Sequence, residues 1–256
     1  MVLIMKSFVK NRFGTILIIV GVVLLYELAT DINQWLEPVL FPGLTKIIPA
    51  LILSLPKLLS GLVSSFGLLV PAYFLGGLLG ISLGLLVGLN SVLRKNLTPI
   101  FHGLSPIPPT LFIPYAITIL PTFWHSSAFI IFIGSFWPFL NGTISGVVLI
   151  EQKYLDNART LELKGPKLLF NVILPAASPL ILAGAGTALN FSFILLTIAE
   201  MFGTNSGLGF FIQYYADFSD YSRVLAGLFF MSCFIITIML AFDMLKKKIL
   251  FWTMKD

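Results

Sequence analysis

Two histidines, one cysteine and one acid closing a long apolar run are the residues from which a catalytic or metal site would have to be built. They are His102, His125, Cys233 and Glu200, and they do not assemble into one. No HExxH pair is present, and two histidines cannot make a histidine-rich metal site. Cys233 sits inside an apolar run, where a thiol packs as a small hydrophobe, and as the sole cysteine it allows no intrachain disulfide. His102 and His125 read as interfacial polar residues. No serine is paired with a histidine in a recognisable hydrolase pattern, and no Walker A glycine–lysine loop is present, so P-loop binding of ATP by this chain is not expected. Glu200 has two readings: it solvates a helix end, or it lines or gates an outer pathway. The remaining concentration of charge is EQKYLDNARTLELKGPK, residues 151–167.

The chemistry that remains is that of a solvent boundary. Hydrophobic residues make up 57% of the 256 and charged residues 11%, where soluble domains carry roughly 25% charge. The charges cluster and leave long uncharged tracts whose natural solvent is lipid. The net charge of +5 is not arranged as a basic face with interleaved aromatics, so nucleic acid is not a predicted partner. A span needs about 20 apolar residues. On that measure the sequence predicts an all-α polytopic membrane protein of about six transmembrane helices. The spans run from Phe13 to Thr30, from Leu58 to Leu93, near 100–120, near 128–149, from Pro179 to Ala199 and from Val224 to Phe242. Residues 31–57 read as an external connection with a short interfacial helix, and Pro121, Thr122, His125, Ser126 and Ser127 as a hairpin turn. The basic flank Lys6, Lys10 and Arg12 before the first apolar run fits an uncleaved first span, since no small-x-small cleavage site follows. Prolines 106, 108, 109 and 114 imply kinked or non-helical backbone at the start of the third span.

Six spans with both termini cytoplasmic put every one of the 16 basic residues inside except Lys46, Lys57 and Arg223, as the positive-inside bias requires. A five-span arrangement separates the lysines at 246–248 from the basic N-terminus. Within the second span Gly76, Gly80, Gly84 and Gly88 recur one turn apart on one face, which lets another helix approach closely.

In the inner connection near 151–175, Tyr154, Ala158 and Leu161 fall on one face of a short helix. Gly165 interrupts it, Pro166 suits the first turn of the next helix, and Pro175 precedes return to the bilayer. Physics alone leaves two readings for this helix–turn–helix: it fits a groove on a cytoplasmic partner, or it floats on the interface as a connector.

The segment DNARTLELKGPKLLFNVILPAASP resembles the permease subunits of binding-protein-dependent ABC importers, in the nitrate/sulfonate/taurine-type branch, and the resemblance runs over about residues 60–250. Their EAA motif has Glu-Ala-Ala, then glycine, then a hydrophobic residue and Leu-Pro. Asp156, Asn157 and Ala158 take the first three places, Glu162 the glycine, Val172 the hydrophobic position, and Leu174 with Pro175 the end. The proline-rich 104–110 stretch, and Glu200 followed by Gly207-Leu208-Gly209, fit in order. Departures are Asp156 for glutamate, Asn157 for alanine, Leu68 where arginine is frequent, and Glu162 for glycine. The last predicts a continuous helix or a turn relocated to Gly165.

The resemblance implies an ABC type I importer permease-like fold with a cytoplasmic coupling helix. It implies an N-terminal helix and connection over 1–57 and a transmembrane domain over 58–250. The implied ATPase-coupling residues are Tyr154, Asp156, Asn157, Ala158, Leu161, Glu162, Gly165, Leu174 and Pro175. Glu200, Gly207 and Gly209 become pathway or gating candidates. Expected partners are a second permease copy in a homodimer, two ABC ATPase subunits carrying ATP and Mg, an extracytoplasmic solute-binding protein, and the lipid of the cell (inner) membrane. No cofactor or catalytic residue is expected in this chain. The rival reading is an ion- or proton-coupled secondary transporter or a non-transporting scaffold. The former calls for an ionisable group near a span centre, and the sequence shows none.

Overall fold

A computed structural model describes Gly14, residues 17–33 and residues 35–252, and all regular structure among them is helical. Helix α1 covers 17–27 and widens into a π turn at Leu28–Ile32. Then follow α2 (Leu44–Leu89), α3 (Ser91–Leu104), a 3₁₀ turn (Pro109–Phe112), α4 (Ile113–Ile119), α5 (Phe123–Val148) and α6 (Gln152–Thr160). After these come α7 (Gly165–Leu168), a π turn (Leu169–Ile173), α8 (Leu174–Gly203), α9 (Leu208–Asp217) and α10 (Tyr221–Ile249). Among the described residues, four stretches are long and apolar enough to cross a membrane: Leu44–Leu89, Phe123–Val148, Gly165–Phe202 and Tyr221–Ile249. The expected first span begins at Phe13, which lies with Lys6, Lys10 and Arg12 outside the described residues.

Two compact units are distinguished, residues 1–58 with 211–230 and residues 59–210 with 231–256. In the first, Tyr26 Oη donates to the Pro42 carbonyl (2.8 Å), Glu27 Oε2 accepts from the Leu44 amide (3.1 Å), and the Thr45 hydroxyl donates to Asp31 (2.7 Å). Glu27 thus satisfies one orphan amide in the first turn of α2, and Asp31 holds the Thr45 side chain beside it. For that reason the expected connection over 31–57 is shorter than predicted: residues from Leu44 onward already belong to α2. At 46 residues α2 is about 69 Å long, over twice a bilayer core.

The second unit is organised by the glycine face of α2. Gly76 lies against Ser135, Gly80 against Phe139, Gly84 against Thr143 and Gly88 against Val147 of α5. Both series ascend together, so α2 and α5 run parallel. A methyl at Gly84 would stand 2.6 Å from Thr143 Cβ, and at Gly80 or Gly88 2.8 Å from Phe139 or Val147 Cβ. Only hydrogen fits there. The same close packing joins α5 to α8 in antiparallel sense, Gly142 against Gly184 and Gly146 against Ala177, and Phe193 on α8 meets Phe234 on antiparallel α10 (5.8 Å between rings).

Parallel α2 and α5 require residues 90–122 to return along their full length. That return is the third predicted span, and it is not one helix. Asn90 ends α2 and caps α3, its Oδ1 accepting from the amides of Val92 (2.9 Å) and Leu93 (3.1 Å). Residues 105–108 are irregular, and the 3₁₀ turn and α4 complete the passage. The proline cluster accounts for the break, because each proline removes an N–H and restricts the residue before it. The predicted hairpin shrinks to Pro121 and Thr122. Thr122 caps α5, and the buried Ser126 hydroxyl donates to the Ala116 carbonyl (2.9 Å) from within that helix. Pro175 does not mark a re-entry point either, since α8 continues backward through the π turn. The Leu174 amide reaches the Leu169 carbonyl there, a widened register that spares the amide proline lacks.

This order gathers Arg94, Lys95, the 151–173 connection and Lys246–Lys248 at one end of the second unit, and Thr122, Glu200 and Gly207 at the other. Gly84→Val is expected to destabilise the protein in detergent by about 1–3 kcal/mol through overpacking. Leu86→Val, at an exposed position of the same helix, stays within about 0.5 kcal/mol in the same thermal-unfolding assay.

Candidate functional site

Helix α6 is short and polar, and one residue anchors it: Ala158 is 2% exposed, whereas Tyr154 and Leu161 are 46% and 71% exposed. The face predicted to be apolar is therefore divided, its middle buried and its flanks open. Tyr154, Asn157, Ala158, Leu161 and Pro175 border one cavity of about 720 Å³, together with Trp252 from beyond α10. Trp252 was not among the predicted site residues. Its one sequence signal is an aromatic pair, Phe251-Trp252, after a lysine cluster, where interfacial aromatics are common.

Two exposed ion pairs dress the helix, Lys153 with Glu151 and Arg159 with Asp156 (2.9 Å). The hydrogen bond from Lys153 to Glu151 holds the ammonium pKa above its ordinary value. Asp156 also accepts from Gln152 Nε2 (3.1 Å), so its carboxylate braces its own helix. Exposed pairs of this kind contribute little to stability.

Glu162 settles how α6 ends. Its φ is +53°, in the left-handed region, and the Glu162 amide donates to the Arg159 carbonyl (3.0 Å) while the Leu163 amide donates to Ala158 (3.0 Å). These are the two bonds of a Schellman close, with Glu162 where glycine is favoured. The helix is thus neither continuous nor extended to Gly165. The bend stays at Glu162, and Gly165 (φ +56°) supplies a second one. Leu174 lies in the first turn of α8, away from this apex.

At the other end of the unit Glu200 is fully buried, so it does not solvate a helix end. Its Oε1 accepts from Ser65 Oγ (2.6 Å) and its Oε2 from the Gly209 amide (2.8 Å), while Ser65 Oγ accepts from the Leu208 amide (3.0 Å). One acid and one serine thereby join α2, the end of α8 and the start of α9, satisfying two orphan amides of α9. Gly207 has φ +121°, and a Cβ there would meet the Glu200 carboxyl. The structure therefore brings Glu200, Gly207 and Gly209 together. Ser65 was missed. Its signal was indirect: a buried carboxylate without a cation requires hydroxyl or amide donors.

A third feature lies between these ends. A cavity of about 480 Å³ is bordered by Ser105 and Pro109 at the break, by Trp137, Pro138 and Asn141 on α5, and by Thr187 on α8. The stretch Gly80-Ile81-Ser82-Leu83-Gly84 has the GxSxG spacing of a serine-hydrolase elbow, but it lies within α2 without the strand-to-helix turn that chemistry needs.

Residues 76–251 match the family described as "Binding-protein-dependent transport system inner membrane component". The chain belongs to that family. Relatives of these inner-membrane components include protein MJ0413 of Methanocaldococcus jannaschii, named as an ABC transporter permease, 32% identical over 213 residues, which are 80% of this chain and 79% of that protein. The bicarbonate transport system permease protein CmpB of Synechocystis sp. is 35% identical over 59% of this chain and 54% of its own length. The nitrate import permease protein NrtB of the same organism is 34% identical over 59% and 55%. The chain thus spans about half the length of these two. An inward-facing structure of the MetNI methionine ABC transporter shares the fold, with a TM-score of 0.65 at 17% identity over 77% of this chain and 97% of that one.

Glu162→Gly should raise stability by up to about 1 kcal/mol and Glu162→Val should lower it, because only the former relieves the left-handed backbone; urea or thermal unfolding in detergent reads the sign. Ser65→Ala should lower stability by about 1–3 kcal/mol, since it leaves Glu200 and the Leu208 amide each short of a partner.

Proposed function

We propose that this chain is the permease subunit of an ATP-driven ABC importer, lining the path of a small solute delivered by an extracytoplasmic binding protein. Family membership over residues 76–251 carries the reading. The bicarbonate, nitrate and aliphatic sulfonates permeases among its relatives favour a small oxygen-rich solute, a sulfonate, nitrate, taurine or related molecule. The working assembly is a homodimer of permeases with two ABC ATPase subunits. The permease itself is not an enzyme; ATP and Mg are held by those separate subunits.

In this reading the protein sits in the cell (inner) membrane, with 58–250 as the transmembrane domain and both termini cytoplasmic. The shared end of α2, α10 and the 151–173 connection is the cytoplasmic one, which the positive-inside bias supports. Helix α6 is the coupling helix. Buried Ala158 seats it on the bundle, exposed Tyr154 and Leu161 meet the ATPase, and the bends at Glu162 and Gly165 lead through Leu174 and Pro175 into α8. Motion of the ATPases thus reaches the spans through these two bends and then along the helix that runs unbroken from Gly165 to Phe202. At the outer end the Glu200, Gly207 and Gly209 cluster holds α9 in place as part of the gate, and Asp156 and Asn157 keep α6 in register.

Co-purification of an ABC ATPase with the tagged chain, and uptake that requires a soluble binding protein, test the assembly. Ala158→Glu buries a charge at the seat of α6 and is expected to reduce uptake at least about tenfold at unchanged membrane expression, with ATP hydrolysis retained. Normal uptake by that variant contradicts the coupling role.

A further inference from the structure

The cavity beside the break in the third crossing offers hydrogen-bond donors that have no partner among the described residues. The Asn141 carboxamide lies well inside α5, and it makes no hydrogen bond to any described residue. The Trp137 indole likewise has ring contacts, with Phe101 and Phe136, but no hydrogen bond among the described residues. Both border the same cavity of about 480 Å³. A carboxamide at membrane depth is costly unless it faces water or a polar guest.

Two backbone features converge on the same place. Pro138 lies inside α5 and provides no N–H for the carbonyl of Gly134, another residue of the cavity wall. Opposite, the irregular 105–108 segment and its 3₁₀ turn bring Ser105 and Pro109 to the wall. Non-helical backbone at this depth is tolerated where it lines a water-filled space or is covered by protein. The wall carries no Asp, Glu, Lys, Arg or His among the residues that border it.

We infer that this cavity is a wet solute-binding site within the pathway, where Asn141 and Trp137 donate neutral hydrogen bonds to a small solute presenting oxygen acceptors. The inference rests on the permease reading and adds to it a position and a mode of recognition. An oxygen-rich anion is held there by amide, indole and hydroxyl dipoles rather than by a cation. Such a site binds loosely enough to release its guest when access switches.

Thiol labelling tests the site without requiring uptake. In a Cys233→Ser background, Asn141→Cys and Leu78→Cys are compared in membrane vesicles. Leu78 is 64% exposed on α2, between the glycines that face Ser135 and Phe139, and in this account it meets lipid. Anionic sulfonatoethyl and cationic trimethylammonioethyl methanethiosulfonates are the probes, each rate normalised to a free thiol. Asn141→Cys is expected to label at least about tenfold faster than Leu78→Cys, since only a hydrated thiol ionises, and the anionic probe is expected to match or outpace the cationic one. Equal rates at the two positions overturn the wet cavity, and a strong preference for the cationic probe overturns the donor lining. If the cavity labels as expected while the complex shows no binding-protein-dependent uptake, the permease reading fails on its own.

Discussion

The close parallel packing of α2 against α5 is the constraint on which the rest depends. Four glycines one turn apart bring the helices so near that a methyl at Gly84 would clash with Thr143. Lipid offers no hydrophobic drive for such contact, because the alternative neighbour is equally apolar, so intimacy of packing has to supply it. Two parallel helices in one bundle oblige the chain between them to travel back. That obligation turns an awkward proline-rich stretch, 91–119, into a return segment that runs the length of both helices. It fixes which ends of α8 and α10 lie together, and it sorts the basic residues to one pole of the unit.

From that frame the two polar centres at the poles take contrasting forms. At one, Glu200 is withdrawn from solvent entirely and spent on internal donors, so its work is to hold backbone in place. At the other, the charged groups of α6 are exposed and paired only with near neighbours, and a single alanine seats the helix. One pole is built to hold its shape, and the other presents a surface with exposed Tyr154 and Leu161 beside an open cavity. Between them lies a cavity where helices are broken or carry proline, and where Asn141 and Trp137 have no hydrogen-bond partner among the described residues.

Much of this was legible in the sequence, and the exceptions have physical causes. Uncharged length announced α5, α8 and α10, since nothing but a buried or lipid-facing helix accommodates such tracts. The glycine spacing announced a close contact, though not its partner or its sense, because periodicity describes one helix at a time. The start of α2 was hidden: Lys46, Pro49 and Pro56 look like a connection until Glu27 is seen to accept from the Leu44 amide and Asp31 from the Thr45 hydroxyl. Glu162 misled because a glutamate ordinarily avoids left-handed backbone. Here the Schellman bonds hold the bend regardless of the side chain. Ser65 and Trp252 lie 135 and about 100 residues from the groups they join and carry no local pattern that names them.

Sidedness of the return segment tests the central claim most directly. Single cysteines placed at Leu93, Thr122, Thr160 and Asn205 in the Cys233→Ser chain can be challenged in intact cells with a membrane-impermeant maleimide, before and after permeabilisation. Parallel α2 and α5 predict that Thr122 and Asn205 positions react from outside, and that Leu93 and Thr160 positions react only once the membrane is opened. Reaction of the Leu93 and Thr122 positions from the same side would mean that residues 90–122 do not cross, and the account would be wrong.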